Sequence, residues 1–301
     1  MPRIYTPEAK AEDMQAIVRR LRRIDREKRL AIVIGLAVVA CSWLCLHAKI
    51  PLSVGYHEFA DQRTLLGIPR AFDVLSNAIF LVIGLWGLKF LLGPGSRSSF
   101  LRAWERLPYM IFFGGVALTG IGSAYYHLAP SDSRLPWDLL PMTLAFMSLL
   151  AATIAERISV RSGLVLLPVL VFLGIASVEV WQSGELQGAG DYRFYLFTQY
   201  FPQVAIAAMI ALFPPRYTHT RDLFIGFAFY ALAKLLEFSD HHIFGLGQIV
   251  SGHSLKHLSA GVACGWILRM VILRRAARLP DAATMQSEYV TPQGTESEIR
   301  W

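Results

Sequence analysis

The chain has 301 residues, 54% hydrophobic and 17% charged, where a water-soluble domain carries about 25% charged residues. Its apolar residues are gathered in long blocks, which excludes both a soluble globular domain and a disordered polar chain. The net charge of +7 would suit a nucleic-acid partner, but its placement along the chain argues otherwise.

Residues 1–29 form a polar, arginine-rich lead that includes Arg19, Arg20, Arg22 and Arg23, and they are predicted to lie as an amphipathic helix on anionic lipid. Eight apolar stretches follow, at 30–48, 73–93, 108–128, 137–155, 163–181, 195–213, 223–243 and 253–273. Each approaches the roughly 20 residues a helix needs to cross a hydrocarbon core. None alternates apolar and polar as a barrel strand does, so the expected fold is an all-α integral membrane bundle. The first apolar run is too long for the core of a signal peptide and reads as a retained anchor. Pro202 is expected to kink the sixth span. The segment 276–301 is polar and reads as a loose tail.

An even number of spans puts both termini on one side. On that side lie 22 of the 29 Lys and Arg residues, against five on the other, with Lys234 and Lys256 inside spans. The positive-inside rule then predicts cytoplasmic termini, and the basic charge is topological, with no nucleic-acid role. Cys41, Cys45 and Cys264 fall in apolar stretches and read as small buried hydrophobes. Trp86, Trp137, Trp181, Tyr125 and Tyr126 read mostly as lipid-facing or interfacial aromatics.

Polar groups inside lipid are costly and mark function by default. The third span ends with Ser123 and His127, four apart on one helical face. The fourth opens with Asp138, and the eighth opens with His253 and His257, again four apart. The topology puts all five at one depth, at the non-cytoplasmic end. Three imidazoles without a competing thiolate suit zinc and leave a fourth position for water, whose pKa zinc lowers to about 7. Asp138 is then placed to orient that water and move its proton, and Ser123 to donate to an oxyanion or support a ligand. Asn77, Lys256 and Glu237 are further candidates to support the ligands, with Glu237 able to pair with Lys234. Asp240 and Glu179 are weaker candidates of the same kind. His241 and His242 are adjacent and point to different faces.

At Ser76-Asn77, Ser123-x-x-x-His127, Asp138 and His253-x-x-x-His257 the sequence resembles the alkaline ceramidase family. That family sits within a wider superfamily of seven-helix membrane hydrolases that includes adiponectin-receptor-like proteins. The segments Gly122 to Leu128 and Ser251 to His257 are most similar to bacterial ceramidase-like membrane proteins. The resemblance covers about residues 56–275, a seven-helix core to which the helix at 30–48 is an addition. It implies a zinc site of His127, His253 and His257, with catalytic Asp138 and Ser123 beside the metal-bound water. The reaction implied is cleavage of a ceramide amide to a long-chain base and a fatty acid.

Two positions depart from the pattern. Arg70 stands where eukaryotic members place a Glu of an acidic calcium-binding segment, which speaks against Ca2+ and leaves Glu58, Asp61 and Asp73 as its remaining candidate ligands. Lys256 stands where those enzymes usually carry an aromatic residue, and a cation there favours an anionic or differently headed lipid. Two alternatives stay open: a hydrolase of another acyl lipid with the same metal site, and a lipid receptor with structural zinc. A transporter lacks the broken-helix pair and inverted repeat of such folds.

Overall fold

A computed structural model describes residues 7–277, with side chains from residue 25 onward. The tail expected at 276–301 lies beyond residue 277 and so almost wholly outside the described residues. The helices are α1 (Pro7–Leu46), α2 (Ala71–Leu75), α3 (Ala78–Leu92), α4 (Leu107–Leu128), α5 (Leu135–Arg157), α6 (Val160–Glu185), α7 (Arg193–Leu212), α8 (Thr220–Phe238), α9 (Asp240–Gly245) and α10 (Gly252–Leu273). Among the described residues there is no strand, only two isolated bridges. The protein is an all-α, multi-pass membrane protein.

Among the described residues, seven helical segments are long and apolar enough to cross a bilayer, α1 among them. The seventh expected span, 223–243, departs from the reading in two ways. Its helix α8 carries Arg221, Asp222, Lys234 and Glu237 in 19 residues, too many charges for an ordinary lipid-facing span. It also stops at Phe238, and a separate short helix begins at Asp240. Three of the four have internal partners: Arg269 reaches Asp222 at 2.5 Å and Lys234 reaches Glu237 at 2.7 Å. The break frees Asp240 for the backbone contacts described below.

The first span also differs. The polar lead is helical from Pro7 and runs unbroken into the apolar stretch as far as Leu46, so 7–29 and the apolar span are one element. Helix α1 packs along α7, and none of its apolar window is buried within the protein. The bundle is organised on α5, which packs against α4, α6 and α7, while α10 packs against α8 and α3. Pro202 lies within α7, as Pro141 and Pro168 lie within α5 and α6. Trp86 and Trp137 are exposed as expected of lipid-facing aromatics, whereas Trp181 and Tyr126 are buried in a cluster with Leu135, Leu139 and Val178. At the end opposite the histidines the buried Arg274 stacks on Phe100, Tyr109 and Tyr217 and pairs with Glu156.

Two glycines set helix spacing where the site will form. A Cβ on Gly122 would lie 1.9 Å from the Trp137 carbonyl oxygen, so α4 and α5 touch backbone to backbone one residue from Ser123 and Asp138. A Cβ on Gly252 would lie 2.3 Å from the Leu236 carbonyl oxygen, which draws the start of α10 against the end of α8. Any larger residue at either position forces the helices apart.

Candidate metal centre

The last turn of α4 carries His127, and the first two turns of α10 carry His253 and His257. All three are buried, and one ring nitrogen from each lies within 4.8 Å of the others. The ring centroids are 4.7, 4.7 and 5.1 Å apart, and the Nε2 atoms of His127 and His253 approach to 3.2 Å. Imidazole nitrogens at 2.0–2.1 Å from a tetrahedral ion are separated by about 3.3 Å, so the spacing fits a shared metal. Among the described residues this is the one group of three or more His, Cys, Asp or Glu side chains with that geometry.

The hydrogen bonding around His257 fits the same reading. The Ser76 hydroxyl donates to the Asp73 carbonyl at 3.2 Å and lies 2.8 Å from Nδ1 of His257. With its proton committed, Ser76 accepts from Nδ1–H. The Nε2 lone pair is then free, and that atom is buried without a partner. A buried acceptor left bare in this way is costly in a finished core and expected of a metal ligand. Nδ1 of His127 is likewise buried and unpartnered among the described residues, and the one polar contact of that ring is Nε2 with His253 Nε2.

Two buried carboxylates hold the start of α10 in place. Ser251 caps the helix, its hydroxyl accepting from the Ser254 amide, and the Ser251 and Ser254 hydroxyls donate to Asp73 Oδ1 at 3.0 and 2.6 Å. On the other flank Asp240 accepts from the His253 amide at 2.8 Å and from the Ala60 amide at 2.9 Å. The segment 50–70 thereby closes over the histidines. The Phe59 ring packs on His127 and His253 at 4.6 and 4.5 Å. His57 bridges the Tyr126 hydroxyl and Asp132, and Arg63 joins Asp61 to the carbonyls of Gln248 and Ile249.

Ser123 and Asp138 are buried side by side, in hydrogen-bonding reach of each other. Both face a cavity of ≈ 220 Å³ that His257, Lys256, Glu237 and Tyr56 also line. A second, almost wholly apolar cavity of ≈ 110 Å³ shares Phe80, Thr119, Met142 and Tyr230 with the first. It continues past Phe112, Val116 and Ile267, residues that lie further from the histidine end of α4 and α10.

The structure thus brings together His127, His253, His257, Ser123 and Asp138. Glu237 lines the cavity but reaches the ligands only through Lys256, whose Nζ is 3.0 Å from Glu237 and 3.1 Å from His253 Nε2. Asn77 does not support a ligand: its amide donates to the Asp73 carbonyl, and its neighbour Ser76 holds His257 instead. Glu58, Asp61 and Asp73 do not converge as a calcium site. Both Asp61 oxygens receive Arg63, and Asp73 Oδ1 receives the two serines. Glu179 is exposed to the outside of α6, and His241 and His242 are exposed. Phe59 and the capping role of Ser251 went unread; a serine directly before an apolar helix is an N-cap signal, whereas nothing local marks Phe59.

No family model matches the chain, and neither a curated protein nor a solved structure matches it.

Proposed function

We propose that the protein is a zinc-dependent membrane amidohydrolase that cleaves N-acyl lipids of the ceramide type, in line with the resemblance of its motifs to alkaline ceramidases. The observation that carries the reading is the buried three-imidazole cluster opening on a cavity that holds an acid, a hydroxyl and an apolar extension. Three neutral nitrogen donors without thiolate suit zinc, and a structural zinc is normally closed by a fourth protein ligand. The cluster offers three, and Asp138 is outside it, which favours catalysis over a receptor with structural metal. The charge distribution supports cytoplasmic termini and a site at the non-cytoplasmic end.

Held by His127, His253 and His257, a zinc ion would supply Lewis acidity toward the scissile carbonyl and would lower the pKa of water toward neutrality. The chain's own residues do the rest. The apolar cavity takes the acyl chain and brings the amide to the histidine end. Asp138 accepts a proton from the attacking water and delivers it to the leaving nitrogen. Ser123 donates a hydrogen bond as charge develops on the carbonyl oxygen. One C–O bond forms and one C–N bond breaks, giving a fatty acid and a long-chain base.

Metal analysis of the purified protein and fatty-acid release from labelled ceramide test this directly. His127→Ala, His253→Ala and His257→Ala lose both metal and activity. Asp138→Asn keeps the metal and loses about 100-fold or more in kcat. Retained turnover in Asp138→Asn removes its assigned role, and a wild-type protein that binds no zinc removes the reading.

A further inference from the structure

We infer that the site selects acyl lipids bearing an anion within a few bonds of the scissile carbonyl, and that Lys256 is the selecting residue; the inference rests on the amidohydrolase reading. Lys256 sits between His253 and His257 on α10, its side chain 19% exposed. Its ammonium touches one carboxylate, Glu237, and one ligand nitrogen, His253 Nε2, at 3.0 and 3.1 Å. That carboxylate is shared, because Lys234 also pairs with Glu237 at 2.7 Å. Asp138 lies on the same cavity wall, so Lys234, Lys256, Glu237 and Asp138 balance one another, and a divalent cation held by the histidines would leave the wall net positive.

The contact with His253 is what makes this charge consequential. A pyridine-type nitrogen has one lone pair, so the Lys256 hydrogen bond and a metal are alternatives at Nε2. With a cation seated, Lys256 keeps Glu237 and turns a bare N–H toward the cavity that receives the amide. An ammonium left partly unpaired in a poorly solvated site is costly, and its nearness to a metal cation adds like-charge repulsion. An anionic substituent on the substrate relieves both at once. The acyl chain takes the apolar cavity, and Lys256 lines the polar one, so that substituent falls on the amine side of the amide, near the nitrogen. The chemistry is an N-acyl head carrying a carboxylate or a phosphate. A neutral long-chain base, as in ceramide itself, leaves Lys256 with Glu237 alone, and such a lipid is expected to be the slower substrate.

The test compares zinc-loaded protein in neutral-lipid nanodiscs on three substrates of one acyl length: N-palmitoylglycine, its neutral isostere N-palmitoylglycinamide, and N-palmitoyl-O-phosphoethanolamine. A charge-assisted hydrogen bond predicts kcat/KM about 10- to 100-fold higher for an anionic substrate than for the glycinamide. The two anionic arms separate a carboxylate source from a phosphate source. In Lys256→Met the anionic-to-neutral ratio falls to near one, and Lys256→Arg restores it. As a readout independent of turnover, N-palmitoylglycine raises the Tm of zinc-loaded Asp138→Asn protein more than the glycinamide does, and the difference vanishes when Lys256→Met is added. Equal rates on charged and neutral amides in the wild type overturn the inference and leave the amidohydrolase reading standing, as does an anionic-to-neutral ratio unmoved by Lys256→Met. No cleavage of any amide by zinc-loaded protein overturns that reading, and the Tm comparison then decides on Lys256 alone.

Discussion

Ser76→Ala removes one oxygen atom from beside the metal centre and is expected to weaken metal binding without unfolding the protein. Ser76 lies between α2 and α3, and its hydroxyl bridges the Asp73 carbonyl and Nδ1 of His257. Truncation leaves the imidazole N–H without an acceptor in a buried site, a penalty of about 1–3 kcal/mol. It also frees the ring to turn or to move its proton to Nε2, the atom needed for the metal. Loss of such a supporting hydrogen bond lowers metal affinity about 10- to 100-fold, and the two magnitudes agree, since about 1.4 kcal/mol is tenfold.

The assay is competitive titration of zinc against a chromophoric chelator, with thermal unfolding of the chelated protein as the stability control. Ser76→Ala should lose affinity while the metal-free Tm moves by only a few degrees, and Ser76→Thr, which keeps a hydroxyl, should recover most of the affinity. Asn77→Ala is the contrasting variant. Its amide bonds the Asp73 carbonyl and no ligand, so its cost falls on stability rather than on metal affinity. If Ser76→Ala binds zinc within threefold of wild type, the tautomer argument for His257 is wrong.

Two further outcomes follow from the packing. Gly122→Ala places a methyl against the Trp137 carbonyl, where its carbon would sit at 1.9 Å; α5 must shift, costing about 2–3 kcal/mol or more and separating Asp138 from Ser123, so both Tm and turnover fall. Gly114→Ala, with nothing within 4 Å, is the control and should be neutral or stabilising by up to ~1 kcal/mol; equal Tm losses in the two would refute the close-approach argument. Arg63 beside Asp61 holds that carboxyl below its ordinary value of 3.8. The clamp over the site is therefore complete above that value and is lost only as pH falls through the lowered folded-state pKa. Hydrogen exchange of the 56–65 segment should stay protected down to below pH 3.8, and in Arg63→Gln the loosening should begin at higher pH; coincident profiles would sink the claim.

Much of the site was legible because two helical pairs, Ser123 with His127 and His253 with His257, are local patterns, and topology alone brings their helix ends to one depth. Asp138 followed from the same reasoning. What stayed hidden depends on contacts that no periodicity encodes. Ser76 and Asn77 are adjacent in a break between helices, and only the direction of each side chain there decides which one meets His257. Phe59 comes from a segment without regular structure, so its place over His127 and His253 is set by long-range fastening to Tyr126, Asp132, Asp240 and the 248–249 carbonyls. The end of α8 was misplaced for a related reason: the apolar run continues to residue 243, but Asp240 leaves the helix to meet two backbone amides.

Those same contacts explain why two acids stand close to the imidazoles without joining them. The start of α10 is a helix N-terminus, with a partial positive charge of about half a unit; Lys256 adds another, and a divalent cation held by His253 and His257 would add two more. Unopposed, that concentration of positive charge would expel the cation. Asp73 opposes it through Ser251 and Ser254, and Asp240 through the His253 amide, yet neither carboxylate belongs to the three-imidazole group. A carboxylate bound directly to the metal would donate charge to it and weaken its pull on a carbonyl. Held one residue away, the two acids offset the field of the helix and leave the donor set neutral, so a cation held there would keep the electron demand that the proposed amide cleavage needs. The two serines and one backbone amide between acid and imidazole thus keep both carboxylates out of the three-imidazole donor set, as the proposed catalytic role needs.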